Sequence, residues 1–257
     1  MSGMFASQVA VITGASSGIG RALALVLAEE GAKVGVVARR RDMLDSLLTE
    51  IRAKGGTVEA VVADVADRAQ TLDAFATLAG KLGVVDLLIA NAGVGKPTRL
   101  DPVNSAEIEQ MFRVNVLGVV HCVEAVLPKM LERGRGHLAA VSSLAAYKGL
   151  PGESAYSATK AAVNSYMEGL RIQLRSRGIT VTTICPGFVR TEMTAPNRFR
   201  MPFLMDADVA ARKIVRALRR RVGVYNFPWP MTMLMKLAGW LPDWFVARQM
   251  QSYQRVP

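Results

Sequence analysis

Short apolar runs rich in Val and Ile recur along the chain, at Val9–Ile12, Val34–Ala38, Val58–Ala63, Leu87–Ala90, Leu138–Val141, Val181–Ile184 and Val222–Phe227. They are continuous and do not alternate with polar residues, which suits strands of a parallel sheet covered on both faces. Between them, apolar residues fall at helical spacing over Gly18–Glu30, Arg41–Lys54, Arg68–Lys81, Ser105–Glu132, Ser154–Arg177 and Asp208–Arg220. Gly31, Gly55, Gly56, Gly83, Gly134 and Gly178 stand where these helices should stop. The alternation predicts an α/β, Rossmann-like doubly wound sheet of seven parallel strands, in the order 3-2-1-4-5-6-7 with right-handed crossovers. No repeat, low-complexity stretch or linker breaks the pattern, so residues 1–257 read as a single domain. The longest irregular segments are Gly93–Pro102 and Arg190–Met205. Both follow strand ends, where such sheets bind ligands, and the second is expected to form a substrate loop over residues 190–206.

Composition narrows the setting. Hydrophobic residues make up 51% of the chain, ample for a buried core. Cys122 and Cys185 lie apart in apolar segments, without a disulfide framework or a CxxC site. That predicts buried, inert thiols in a reducing, cytoplasmic compartment. The formal charge is +11, concentrated at Arg39-Arg40-Arg41 and from Arg212 to Arg221. Such an excess suits nucleic acid, an anionic membrane surface or an anionic cofactor. No basic motif interleaved with aromatics is present, which argues against nucleic acid. Met1 to Ala6 is too short and unpatterned for a signal peptide, and no apolar run reaches the roughly 20 residues of a spanning helix. His121 and His137 are isolated, so both are read as structural and no metal site is expected.

The C-terminal extension, about residues 228–257, departs from this pattern. It holds Trp229, Trp240 and Trp244 together with Met231, Met233 and Met235. Three readings stay open: an adaptable lid over an apolar substrate pocket, an interfacial helix dipping into lipid, or plain packing over a sheet edge or subunit contact.

Candidate chemistry begins at Thr13-Gly-Ala-Ser-Ser-Gly-Ile-Gly20. Gly14, Gly18 and Gly20 lie between the first strand and the first helix, spaced GxxxGxG. A pyrophosphate needs a tight turn, bare backbone close by and helix N–H groups pointing outward. The second strand ends at Ala38 and is followed by Arg39, Arg40 and Arg41, with no carboxylate before Asp42. Guanidinium groups suit a 2′-phosphate, and Ser16 and Ser17 add hydroxyls. The expectation is therefore NADP(H) in preference to NAD(H), with Arg39 the leading phosphate contact. Tyr156 and Lys160 stand one helical turn apart on one face. A cation beside a phenol favours the phenolate and suits proton exchange with an alcohol oxygen near neutral pH. Ser143 ends the strand Leu138–Val141, and Asn91-Ala92-Gly93 ends the fourth strand. Asn115, inside an apolar helical stretch, needs hydrogen-bond partners if buried, or else serves only to bend the helix.

These motifs, in this order, resemble the short-chain dehydrogenase/reductase family from about Val9 to Met193. The resemblance rests on Thr13–Gly20, Asp64 after the third strand, Asn91–Gly93, Asn115, Ser143, Tyr156 to Lys160, Pro186-Gly187 and Thr191. It implies that Tyr156 donates a proton in carbonyl reduction and accepts one in alcohol oxidation, while Ser143 holds the substrate oxygen. Lys160 would bind the nicotinamide ribose and lower the phenol pKa, and Asn115 would anchor a water that extends a proton path. Gly14, Ser16, Ser17, Gly18, Ile19 and Gly20 would cradle phosphate, with Arg39 and Arg40 at the adenosine end. Asp64 and Val65 would lie by the adenine; Asn91, Ala92 and Gly93 would line the cofactor. Pro186, Gly187, Val189 and Thr191 would meet the nicotinamide. Ala90 replaces the first residue of the family's usual NNAG, a change of packing more than of chemistry. The expected activity is hydride transfer between NADP(H) and a hydrophobic carbonyl/alcohol pair. The alternative is a non-catalytic NADP-binding regulator or scaffold on the same fold, against which the intact Ser143, Tyr156 and Lys160 argue. The resemblance also implies a homodimer or homotetramer joined through Ser105–Glu132 and Ser154–Arg177, burying residues such as Val119, Ala161 and Met167 on whichever face the fold leaves exposed.

Overall fold

A computed structural model of the chain describes residues 5–197 and 200–249. The apolar runs become β1 (Val9–Thr13), β2 (Lys33–Ala38), β3 (Thr57–Val62), β4 (Leu87–Ala90), β5 (Gly136–Val141) and β6 (Ile179–Pro186). Two short strands, β7 (Val189–Arg190) and β8 (Met205–Asp206), precede β9 (Val224–Phe227). The long strands and β9 form one parallel sheet in the order β3-β2-β1-β4-β5-β6-β9, the order read from the sequence. Ile12 of β1 sits beside Val36 on one side and Ile89 on the other. The winding reverses between β1 and β4, so the crevice opens at their carboxyl ends.

Helices α1 (Gly18–Glu29), α2 (Arg41–Ala53) and α7 (Ala207–Arg219) cover one face of the sheet. The other face is covered by α3 (Arg68–Leu82), α5 (Gly118–Arg133) and α6 (Ser154–Leu174). Alternate residues of β1 feed both layers: Ala10 and Ile12 pack with the first set, Val9 and Val11 with the second. This two-sided burial is why the strands read as unbroken apolar runs. Each fully buried Leu or Ile, such as Leu23, Leu47 or Ile89, contributes about 2 kcal/mol relative to exposure.

The stretch expected as one helix over Ser105–Glu132 is divided. Helix α4 (Ser105–Phe112) runs into a π turn, Arg113–Leu117, before α5 begins. By composition Ser105–Arg133 is long and apolar enough to cross a membrane, contrary to the expectation from the length of its apolar runs. Its apolarity is that of a core helix, since Val119, Cys122, Val123, Val126 and Met130 pack against the sheet. Val119 and Met167 belong to this core, and Ala161 is exposed. The thiols of Cys122 and Cys185 are free and buried, and burial pushes Cys122 up to about 12. His137 bonds Thr182 Oγ1 at 2.8 Å, and burial lowers its pKa to about 4. Among the described residues, no group of three or more His, Cys, Asp or Glu side chains is placed to hold a metal ion.

The C-terminal extension forms α8 (Trp229–Ala238) and α9 (Asp243–Gln249). The inner face of α8 packs Met231 and Met235 against Leu144, Tyr147 and Cys185. Its outer face carries Met233, Leu234 and Leu237, exposed at helical spacing and continued by Trp240 at 91% exposure. Residues 250–257 of the extension, and Arg198 and Phe199 of the loop, lie outside the described residues.

Candidate active site

The glycine cradle follows from close backbone approach. Past Thr13 the chain turns at Gly14, at φ +67°, and enters α1 at Gly18. A Cβ on Gly14 would stand 2.7 Å from Ala92 Cα. One on Gly20 would overlap the Gly14 carbonyl oxygen and stand 2.5 Å from Asn91 Nδ2. Asn91 Nδ2 donates to the carbonyls of Thr13 (3.0 Å) and Gly14 (3.3 Å). Thr13 Oγ1 accepts from the N–H groups of Asn91 and Ala92, both at 3.2 Å. The β4 end thus clamps the β1 turn. Ile19 packs against the core and fixes the first turn of α1. Ser17 gives α1 no side-chain cap, which leaves the helix N-terminus suited to an anion.

At the far side of the cradle the arginines divide. Arg40 Nη2 donates to Ser16 Oγ (3.0 Å) and Ser17 Oγ (2.7 Å), and Nε reaches Ser16 Oγ at 3.3 Å. Arg39 instead meets Asp64 Oδ2 at 3.5 Å. The guanidinium against the glycine loop is therefore that of Arg40, whereas the sequence reading places Arg39 first. Asp64 Oδ1 accepts the Ala66 N–H, and Val65 is buried, its carbonyl 2.9 Å from His121 Nδ1.

Ser143, Tyr156, Lys160 and Asn115 come together around Gly93–Gly95. A Cβ on Gly93 would lie 3.3 Å from Asn115 Oδ1 and 3.4 Å from Lys160 Nζ. One on Gly95 would lie 3.6 Å from Tyr156 Cδ2 and 3.5 Å from Met193 Sδ. Lys160 Nζ donates to the Val141 carbonyl at 3.0 Å, which anchors α6 to the β5 end beside Ser143. Asn115 is fully buried. Its Oδ1 accepts the Val94 N–H (2.8 Å); its Nδ2 donates to the Val94 carbonyl (2.9 Å) and to Thr159 Oγ1 (3.0 Å). Asn115 lies in the π turn and is bonded on both ends of its amide, the first of the two sequence readings. Pro186 pairs with Phe227 at the sheet end, and Gly187 N–H donates to the Phe227 carbonyl at 2.7 Å. Val189 is buried, and Thr191 packs on Gly18, where a Cβ would stand 2.9 Å from its methyl.

The electrostatics differ from the sequence expectation at one point. Burial pushes the Tyr156 phenol up to about 12; the Ser143 hydroxyl opposes this and the Glu153 carboxylate adds to it. Lys160 Nζ stands 5.7 Å from the ring centroid, and burial pulls its own pKa down to about 8. The direction is opposite to the acidification expected from the spacing of Tyr156 and Lys160, and its largest cause is burial of the phenol. Burial also raises Glu153, one turn before Tyr156, to about 7.

Sequence reasoning assigns no role to Thr13, Ser142, Thr159, Glu153, Glu192 or Met193. Ser142 Oγ donates to the Lys160 carbonyl at 3.0 Å. Thr159 Oγ1 links Asn115 to the Tyr156 carbonyl at 2.7 Å. Thr13 and Thr159 lie inside the motifs Thr13–Gly20 and Tyr156–Lys160, a signal that could have marked them. Glu192 and Met193 reach the site through a loop whose path is not encoded locally.

A glycine cradle at the switch point of a parallel sheet, facing a Ser-Tyr-Lys group, defines a nucleotide-binding oxidoreductase fold. The family model for short chain dehydrogenases matches residues 8–201. The chain is 43% identical over 236 residues to an uncharacterized oxidoreductase of Myxococcus xanthus, covering 92% of this chain and 93% of that protein. It is 36% identical over 243 residues to an uncharacterized oxidoreductase of Mycobacterium tuberculosis, covering 91% and 94%. A short chain dehydrogenase/reductase from Burkholderia phymatum, solved in complex with NAD, superposes with a TM-score of 0.84 at 27% identity, over 98% of this chain and 97% of that one. An alcohol dehydrogenase from Thermococcus sibiricus, complexed with 5-hydroxy-NADP, gives 0.77 at 28% identity, over 86% and 94%. The chain belongs to the short-chain dehydrogenase/reductase family and is an oxidoreductase of that type.

Proposed function

We propose that this chain is an NADP(H)-dependent oxidoreductase that reduces a hydrophobic ketone or aldehyde to its alcohol. The observation that carries this reading is the convergence of Ser143, Tyr156 and Lys160 on Gly93–Gly95, where the glycine cradle leads. The cradle fits a dinucleotide because the backbone is bare where a Cβ would otherwise intrude. When bound, the dinucleotide supplies the hydride. Tyr156 donates the proton to the carbonyl oxygen, and Ser143 steadies the negative charge that grows there. A phenol held near 12 keeps its proton at neutral pH, the form that reduction requires. Lys160 positions the ribose and restores charge balance beside Tyr156. Asn115, held by Val94 and Thr159, fixes the floor beneath Lys160.

Support for NADP(H) over NAD(H) comes from the β2 end, where Arg39 and Arg40 stand and no carboxylate precedes Asp42. Arg40→Ala is expected to lower kcat/KM for NADPH by about tenfold to a hundredfold and to change that for NADH less than twofold. Steady-state kinetics with both cofactors checks this; equal losses for the two would contradict the assignment.

Residues 190–206 form the substrate loop in this reading, and the α8 inner face packs beside Leu144 and Gly187. Both favour an apolar substrate. The outer face of α8, with Trp229, Leu234, Leu237 and Trp240 exposed on a chain of charge +11, fits an anionic lipid surface. The protein then works in the cytoplasm at the membrane surface, as a homodimer or homotetramer joined through exposed positions of α5 and α6 such as Ala161 and Ile172. Flotation with phosphatidylglycerol vesicles is expected to carry the wild type up and to leave Leu237→Ser/Trp240→Ser at the bottom. Equal behaviour of the two proteins would remove the lipid contact from the account.

A further inference from the structure

Arg40 has a partner on the opposite lip of the crevice. Its Nη1 donates to Glu192 Oε2 at 2.8 Å, while Nε and Nη2 are occupied by Ser16 and Ser17. The pair is half-exposed, with side-chain exposures of 44% and 57%, and it spans from the start of α2 to the turn after β7. We propose that Glu192 is a specificity-determining residue: its carboxylate competes with the cofactor's 2′-phosphate for Arg40. This rests on the NADP(H) reading above.

The geometry supports competition. A guanidinium offers five N–H groups, and three of its four contacts here go to neutral hydroxyls of the cradle. Glu192 supplies the only carboxylate that Arg40 contacts among the described residues, and it takes the Nη1 edge, the one that no cradle hydroxyl contacts. Two anions cannot share that edge without mutual repulsion, so each weakens the other's hold. The turn bearing Glu192 is stiffly built. Thr191 N–H donates to Thr194 Oγ1 (3.0 Å), and Thr194 Oγ1 donates to the Val189 carbonyl (2.7 Å). The next residue, Met193, borders Gly95 beside Tyr156. Displacing Glu192 therefore acts on a segment that reaches the reaction pocket. By linkage, whatever the carboxylate costs the phosphate, the phosphate costs the Arg40–Glu192 tie.

The test uses binding of 2′,5′-ADP and 5′-AMP, which differ only in the 2′-phosphate, to wild type, Glu192→Gln, Arg40→Ala and the double variant. An exposed pair sets a modest scale, so Glu192→Gln is expected to tighten 2′,5′-ADP about threefold to tenfold and to leave 5′-AMP unchanged. The gain is expected to shrink at high salt and to vanish in the Arg40→Ala background. If wild type prefers 2′,5′-ADP and Arg40→Ala loses that preference, yet Glu192→Gln changes nothing, the competition is refuted and the NADP(H) reading stands. A Glu192→Gln gain that persists without Arg40 also refutes it. If wild type binds both probes equally and Arg40→Ala alters neither, the NADP(H) reading falls and this inference with it.

Discussion

Tyr156→Phe is expected to lower carbonyl reduction by about a thousandfold or more while leaving NADPH affinity within about twofold of wild type. The substitution removes one hydroxyl and keeps the ring, so packing against Gly95 and Met193 persists. What it removes is the proton donor, a contribution of about 100- to 10,000-fold, together with one of two hydroxyls placed to stabilise the oxygen. Ser143 alone cannot replace it, because an aliphatic hydroxyl is a far weaker acid than a phenol. Stopped-flow measurement of NADPH oxidation, beside fluorescence titration of NADPH, separates the two effects. Retained turnover would remove Tyr156 from the proton role; lost binding would mean that the hydroxyl serves the cofactor instead.

Gly20→Ala is expected to weaken NADPH binding by about a hundredfold or more and to destabilise the fold by about 1–3 kcal/mol. The new methyl would meet the Gly14 carbonyl oxygen and Asn91 Nδ2, neither of which is a flexible chain end. Asn91 is held by Thr13 and Gly14, so relief requires opening the clamp that shapes the cradle. Gly80→Ala is the matched control. Gly80 lies in α3 with nothing within 4 Å of an added methyl, and the change is expected to raise stability by about 0.5–1 kcal/mol. Thermal melts and NADPH titrations of both variants check the contrast. Wild-type binding by Gly20→Ala would show that the cradle tolerates a side chain.

The architecture was legible because two-sided burial writes itself into sequence. Val34–Ala38 and Leu87–Ala90 are apolar throughout, and the strand order followed from their alternation with helices. Tyr156 and Lys160 were legible because helical spacing fixes their shared face, and Gly14 and Gly20 because the turn tolerates nothing larger. The rest depended on contacts between segments far apart in the chain. Nothing local in Phe112-Arg-Val-Asn-Val marks a π turn, which forms where Asn115 reaches Val94 and Thr159. Strands β7 and β8 have two residues each, too few for a periodic signal. Arg39 and Arg40 could not be told apart in the sequence because adjacent residues at a strand end point differently, and the bonds of Arg40 to the Ser16 and Ser17 hydroxyls appear only in the fold. The phenol pKa was misjudged because spacing reveals Lys160 but not the desolvation that Tyr156 undergoes.

Stoichiometric turnover measures carbonyl reduction by this protein most directly. Wild-type protein is mixed with NADPH and a panel of apolar ketones and aldehydes, and both NADPH consumed and alcohol formed are quantified. At least one substrate is expected to be converted with one alcohol formed per NADPH, and none by Tyr156→Phe. Tight NADPH binding with no conversion across the panel would contradict that expectation and favour a non-catalytic NADP-binding protein on this fold.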